Sequence, residues 1–171
     1  NIEYIFHLAA QALVETAFYN PKRTLTTNIT GTINILESSR LFPKVKAVIV
    51  ASSDKAYGKI PRVSEKNYIG GDHPYESSKA AADLVATTYA KTYKMPVVVT
   101  RFGNVYGEGD LNFSRIVPGI MRSAILGETL DVRSNGKFVR DYVYVGDVVD
   151  AMIGLITNIK KVRGEVFNIS S

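Results

Sequence analysis

The sequence predicts an α/β protein built on a doubly wound parallel β-sheet, and three features carry that expectation. Short runs rich in β-branched residues alternate with longer stretches of helical period along the 171 residues. The runs at 4–8, 47–51 and 97–101 are almost continuously apolar, the pattern of strands that helices cover on both faces. Between them lies enough chain for crossover helices, and such connections are right-handed in nearly all cases.

The elements follow in order. Tyr4 to Leu8 reads as the first strand. Behind Pro21, a residue suited to a first helical position, Leu25, Ile29, Ile33 and Leu36 recur at spacings of three and four and predict a crossover helix. Asn28 falls inside that helix and is expected to distort it. Ala47 to Ala51 is the second strand. A helix should then begin near Pro74 and run toward Lys94, with Ala81, Leu84, Val85, Thr88 and Tyr89 as its apolar stripe. Val97 to Arg101 is the third strand. After it Gly103, Gly107 and Gly109 mark a loop, Arg115 to Leu126 a helix, Val139 to Val145 a strand, Asp147 to Ile156 a helix and Val166 to Ile169 a last strand. His73 reads as a loop residue and His7 as a structural histidine at a strand end.

Composition narrows the function classes. With 46% apolar and 22% charged residues the chain has a globular balance, which excludes disorder, collagen and coiled coil. Its longest purely apolar run, Ala47 to Ala51, is far short of the roughly 20 residues of a membrane span, so no membrane partner is expected. No cysteine is present, which removes disulfides and thiolate metal sites, and two histidines make zinc chemistry improbable. A cytoplasmic address is the expectation. The net charge of +5 favours anionic partners. Because the basic residues are scattered, a phosphate-bearing small molecule is expected ahead of nucleic acid.

Chemistry concentrates at two places. Ser52, Ser53, Asp54 and Lys55 follow directly on the second strand, at the carboxyl end where parallel sheets gather ligands. Tyr75 and Lys79 lie four apart at the start of the next helix, on one face of it. A lysine ammonium roughly 4 Å from a phenol would favour the phenolate by about 4 kcal/mol at an effective dielectric of about 20, some three pKa units before desolvation. Tyr75 could then accept an alcohol proton while Ser53 orients the same oxygen. The carbon so activated releases hydride, which calls for an acceptor such as a nicotinamide.

No glycine triplet of the kind that cradles a pyrophosphate after a first strand occurs in the chain. Both termini fall almost at strand ends. The expectation is an internal piece of a longer protein, whose strand Tyr4 to Leu8 would be an exposed apolar edge.

Several stretches carry a family resemblance: HLAA at His7 to Ala10, TNITGTINILES at Thr27 to Ser38, SSDKAYG at Ser52 to Gly58, YESSK at Tyr75 to Lys79, RFGNVYGEGD at Arg101 to Asp110 and RDYVYVGDV at Arg140 to Val148. In this order they resemble the extended short-chain dehydrogenase/reductases, specifically the NAD-dependent nucleotide-sugar epimerases and dehydratases. The resemblance implies a Rossmann-like sheet truncated at both ends. Residues 1–106 would be the later part of the NAD-binding core, and 107–171 the start of the substrate-binding region with returning core elements. It implies a catalytic triad of Ser53, Tyr75 and Lys79, with Asp54 and Lys55 as a proton-transfer pair resembling that of CDP-glucose 4,6-dehydratases. The NAD contacts would come from Leu8, Ala9, Ala10, Ala51, Ser52, Tyr75, Lys79 and Phe102. Asn104, Arg115 and Arg140 would hold the nucleotide diphosphate of the substrate, an arginine fork being suited to phosphate oxygens. Free Asp and Lys favour the charged pair over the neutral one by about 6.5 pKa units, near 9 kcal/mol, so Lys55 is read as a cation that steadies an enolate. The run Arg140 to Val145 departs from the CDP-glucose form and leaves the base of the nucleotide open. A 4-epimerase or decarboxylase, or a chain that binds a nucleotide sugar without turnover, are the alternatives. A homodimer through the helices near Pro21 to Arg40 and Tyr75 to Lys94 is also implied.

Overall fold

The computed structural model describes residues 2–132 and 134–171. Its strands are β1 (Tyr4–His7), β2 (Ala47–Ser53), β3 (Val97–Phe102), β4 (Asn104–Tyr106), β5 (Tyr142–Tyr144) and β6 (Val166–Ile169). Four of them form a fully parallel sheet in the order β1-β2-β3-β6, and β4 and β5 form a short parallel pair beside it. The helices are α1 (Val14–Tyr19), α2 (Pro21–Leu25), α3 (Gly31–Leu41), α4 (Pro74–Tyr93), α5 (Ile116–Leu126), α6 (Val145–Thr157) and α7 (Ile159–Val162). A π-helical turn, Thr26–Thr30, joins α2 to α3, and a 3-10 turn, Asp54–Tyr57, follows β2.

Alternation along the strands builds two cores. Val48, Val50, Val97 and Val99 meet Leu36 of α3 and Ala86 and Ala90 of α4 on one face. Ile49, Val98 and Phe102 meet Val143, Val148 and Met152 on the other. Apolar side chains on both faces produce the continuous hydrophobic runs of β2 and β3. This is the parallel α/β arrangement that the alternating pattern predicted and the Rossmann-like sheet that the resemblance implied.

Four expectations need correction. The stripe expected on α4 is not its buried face, since Leu84 is 55% exposed and Thr88 is exposed too. The helix instead turns Tyr75, Lys79, Ala82, Asp83, Ala86 and Ala90 inward. Small alanines let the backbone approach the sheet closely, and the two ionisable groups find polar partners there. In the crossover the innermost positions are Thr24, Asn28, Thr32, Leu36 and Ser39, while Leu25, Ile29 and Ile33 are only half-buried. The hydroxyls satisfy themselves by donating to carbonyls one turn back, Thr24 to Asn20, Thr32 to Asn28 and Ser39 to Ile35, which makes a polar inner face tolerable. The glycine-marked stretch after β3 is not all loop, because Asn104–Tyr106 pairs with Tyr142–Tyr144. The strand expected over Val139 to Val145 shrinks to those three residues.

Candidate active site

The strand β2 ends in Ser53, whose extended backbone turns directly into the Asp54–Tyr57 turn. The Ser53 hydroxyl accepts from the Lys55 amide at 3.2 Å and donates to Asp54 Oδ1 at 3.0 Å. Asp54 Oδ2 in turn holds Lys55 Nζ at 2.7 Å, with both side chains about 30% exposed. Asp54 and Lys55 therefore form an ion pair at the rim, with the serine hydroxyl as its third member.

Helix α4 brings the other half. His73 caps it: its Nδ1 accepts from the Tyr75 amide at 3.2 Å, and the Glu76 carboxylate accepts from the His73 amide at 3.3 Å. Pro74 supplies the first helical residue. With the start of the helix so fixed, Tyr75 lies 9% exposed with Ser53 and Asp54 among the groups that act on its phenol, and Lys79 lies 8% exposed one turn on. Lys79 Nζ donates to the Ala51 carbonyl at 3.0 Å.

The electrostatics differ from the expectation. Burial pushes the Tyr75 phenol up; the Ser53 hydrogen bond opposes this, the Asp54 charge adds to it and the Arg115 cation opposes it. Lys79 Nζ donates to the Ala51 carbonyl, and burial holds its amine down at about 8. The phenol-lowering ammonium that the spacing suggests is thus replaced by two desolvated groups on one helix face.

The floor behind Tyr75 is tied to the crossover. Asn28, 2% exposed in the π-helical turn, donates to the Ser78 hydroxyl at 2.8 Å and to the Gln11 carbonyl at 3.1 Å, and accepts from the Gln11 amide at 2.7 Å. The Ser78 hydroxyl in turn donates to the Tyr75 carbonyl at 2.8 Å. His7 Nε2 lies 3.0 Å from Thr32 Oγ1, whose proton is committed to the Asn28 carbonyl, so Nε2 is the donor. Burial, and then the Lys79 charge, hold this imidazole below its ordinary pKa. It is the structural histidine the sequence suggested.

The residues expected to hold a dinucleotide are distributed unevenly. Leu8 and Ala9 are exposed and Ala10 is half-buried just past β1, and Ala51 is half-buried at the end of β2. Phe102 packs into the core against Ile49 and Val98. Ser52 Oγ is fully buried without a hydrogen-bond partner. A nicotinamide ribose fits this rim, since small side chains leave room at the strand ends and the Lys79 amine uses one donor on Ala51 and keeps others for hydroxyls.

A separate cavity of about 810 Å³ gathers Asn104, Arg115 and Arg140, the three residues expected to bind the nucleotide diphosphate. It is not lined by Ser53 or Tyr75. Arg140 is exposed, its guanidinium 5.2 Å from the Phe138 ring centre. Arg115 is half-committed already, to Asp110 Oδ2 at 2.7 Å and to the Val105 carbonyl. Asn104 donates to the Asp141 carbonyl at 2.9 Å. Among the described residues no group of three His, Cys, Asp or Glu could hold a metal ion, and no helix is long and apolar enough to cross a membrane.

Comparison with known proteins finds dehydratases and epimerases similar to nearly the whole chain. The chain is 36% identical over 155 residues to CDP-glucose 4,6-dehydratase of Salmonella typhimurium, covering 84% of this chain and 43% of that one. It superposes on dTDP-glucose 4,6-dehydratase of Bacillus anthracis, in complex with NAD, with a TM-score of 0.85 at 32% identity, over 98% of this chain and 51% of that one. It superposes equally on UDP-glucose 4-epimerase of Thermotoga maritima, in complex with UDP-glucose, with a TM-score of 0.86 at 35% identity, over 99% and 55%. The chain spans between 23% and 52% of the length of the curated relatives it matches. The model of the NAD dependent epimerase/dehydratase family matches residues 1–170, and with its parallel sheet and its serine, tyrosine and lysine at one rim the chain belongs to that family.

Proposed function

We propose that this chain carries the catalytic rim of a nucleotide-sugar 4,6-dehydratase, which converts a nucleoside diphosphate hexose into its 4-keto-6-deoxy form with loss of one water. The observation that carries this reading is the Asp54–Lys55 ion pair, bound to the Ser53 hydroxyl, with Asp54 and Ser53 both acting on the Tyr75 phenol. A redox site alone needs serine, tyrosine and lysine. An ionic pair beside it provides what elimination needs in addition, a proton acceptor and a fixed cation.

Each residue then has a task. Ser53 orients the C4 hydroxyl of the sugar and Tyr75 takes its proton as the C4–H electron pair leaves. When bound, a nicotinamide dinucleotide supplies the acceptor and later donor of that electron pair, and a positive ring charge that favours the phenolate. Lys79 holds the ribose by its free donors. With C4 a ketone, the C5 proton is acidic. Asp54 takes the C5 proton and returns it to the C6 hydroxyl, which leaves as water, while Lys55 steadies the enolate as a cation. C6 is then reduced, C5 regains a proton, and the sum is sugar to ketosugar plus water. Asn104, Arg115 and Arg140 hold the diphosphate in the adjacent cavity, the arginines by charge-assisted hydrogen bonds.

Lys55→Met in the full-length gene product tests the assignment. Water loss should fall by about 10² or more while C4 oxidation continues. Undiminished water loss would remove Lys55 from the elimination. The same redox core with no water lost from any nucleotide sugar would favour a 4-epimerase.

A further inference from the structure

We propose that Arg101, acting through the Tyr57 hydroxyl, is a positioning residue that keeps the Asp54–Lys55 pair in register with Tyr75 and Lys79. The inference rests on the dehydratase reading given above and adds to it a device that none of the active-site groups contains.

Arg101 lies on β3 and is 5% exposed. Its guanidinium serves two segments at once. Nε and Nη2 donate to the two carboxylate oxygens of Asp83 at 2.7 and 2.9 Å, and Nη1 donates to the Tyr57 hydroxyl at 2.6 Å. Asp83 lies one turn beyond Lys79, which lies one turn beyond Tyr75, so fixing Asp83 fixes the helix face that carries both. Tyr57 is 2% exposed and ends the four-residue turn that opens with Asp54 and Lys55. Its hydroxyl, having accepted from Arg101, donates to Asn168 Oδ1 at 2.7 Å, and the Asn168 amide donates to Glu65 Oε1 at 2.8 Å. The two halves of the site therefore meet at one guanidinium, which contacts neither of the reacting groups.

The chemistry of the anchor fits that task. A buried ion pair is weak evidence for stability, because apolar replacements of similar shape often do as well; its geometry is what such a replacement cannot reproduce. The planar fork spans a carboxylate on one edge and a phenol on the other, whereas a lysine offers one point charge on a flexible stem. The turn needs such a fixture. The segment after it, residues 59–68, is exposed at nearly every position, and only a small cluster of Ala56, Tyr57, Ile69 and Ala80 packs beneath it.

Tyr57→Phe is the incisive variant, since it retains the Arg101–Asp83 pair and the buried ring and deletes the hydroxyl with its bonds to Arg101 and Asn168. In the full-length enzyme, C4 oxidation is followed by the absorbance of the reduced cofactor and water loss by product mass in single turnovers. The expected result is water loss slowed about tenfold or more, oxidation and KM essentially unchanged, and reduced cofactor accumulating, because a displacement of about 1 Å is enough for such a loss. Arg101→Lys, where it folds, should give the same split more strongly. Equal slowing of both steps together with a lower Tm, or no change in either, would reduce the network to a structural role and overturn the inference. A wild-type enzyme that loses no water from any nucleotide sugar would instead overturn the dehydratase reading, and the positioning role with it.

Discussion

Lys79 sets a measurable pH dependence. Its amine is held at about 8 in the folded protein against an ordinary value near 10.5, through desolvation. Between those values the unfolded chain binds the extra proton, so folding stability contributed by this group rises with pH across that window. The penalty at pH 7 is on the order of 3 kcal/mol and fades toward pH 10. Chemical denaturation of wild type and Lys79→Met should show the variant more stable at pH 7, with the gap narrowing by about 2 kcal/mol by pH 10. A constant gap would mean the amine is not desolvated. The Arg101–Asp83 pair behaves oppositely, because both groups are buried and share two hydrogen bonds. Burial works against the guanidinium, and its bonds to Asp83 and Tyr57 outweigh it and keep the Arg101 pKa raised. Asp83→Ala leaves a buried cation and should cost about 3–5 kcal/mol in urea denaturation. A loss below about 1 kcal/mol would contradict the burial seen for the pair. At this scale the sequence offered the candidate residues and hid their supports. Ser53, Tyr75 and Lys79 could be picked out because serine, tyrosine and lysine at a strand end and the next helix have a joint chemistry. Arg101 and Asp83 are 18 residues apart with no periodic relation, so only the fold reveals the pair.

The elements show why helix faces were harder to predict than strands. β2 and β3 are buried on both sides, so any apolar run reports them. On α4 the inward face is alanine, lysine and aspartate, which a search for large apolar residues passes over. The short helix α1 went unpredicted for a related reason, since it buries only Ala17 and has no capping side chain. The expected distortion at Asn28 is present as the π-helical turn, and the side chain there joins the crossover to Gln11 and Ser78. Asn28→Ala should cost about 1–3 kcal/mol and speed hydrogen exchange at the Gln11 amide, which loses its 2.7 Å acceptor. Unchanged exchange would show that the link is dispensable. Gly58 closes the turn that carries Asp54 and Lys55 with φ of +70°, and a Cβ there would stand 2.8 Å from the Gly70 carbonyl oxygen. Gly58→Ala should therefore cost more than about 1 kcal/mol, read as a lower Tm. An unchanged Tm would mean the turn relaxes freely.

Among the described residues the outer edge of the sheet and the cavity that holds Arg140 both stand open. β1 has one neighbour in the sheet, and its Tyr4 and Phe6 are 47% and 42% exposed. Such an edge invites pairing. The 171-residue chain studied alone should self-associate with rising concentration in sedimentation, and Tyr4→Lys with Phe6→Lys should suppress it. Monomers at all concentrations with the natural residues would contradict this. The alternation of strands and crossovers was legible at this scale because it repeats along the chain. The cavity that gathers Asn104, Arg115 and Arg140 was not, since it depends on how these residues are brought together from three segments. The chemistry that joins these two places is tested most directly by incubating the full-length gene product with nucleoside diphosphate hexoses and measuring product mass. The expected product is lighter by one water and absent with Tyr75→Phe; a product of unchanged mass, or one formed as fast by the phenylalanine variant, would contradict the dehydratase assignment.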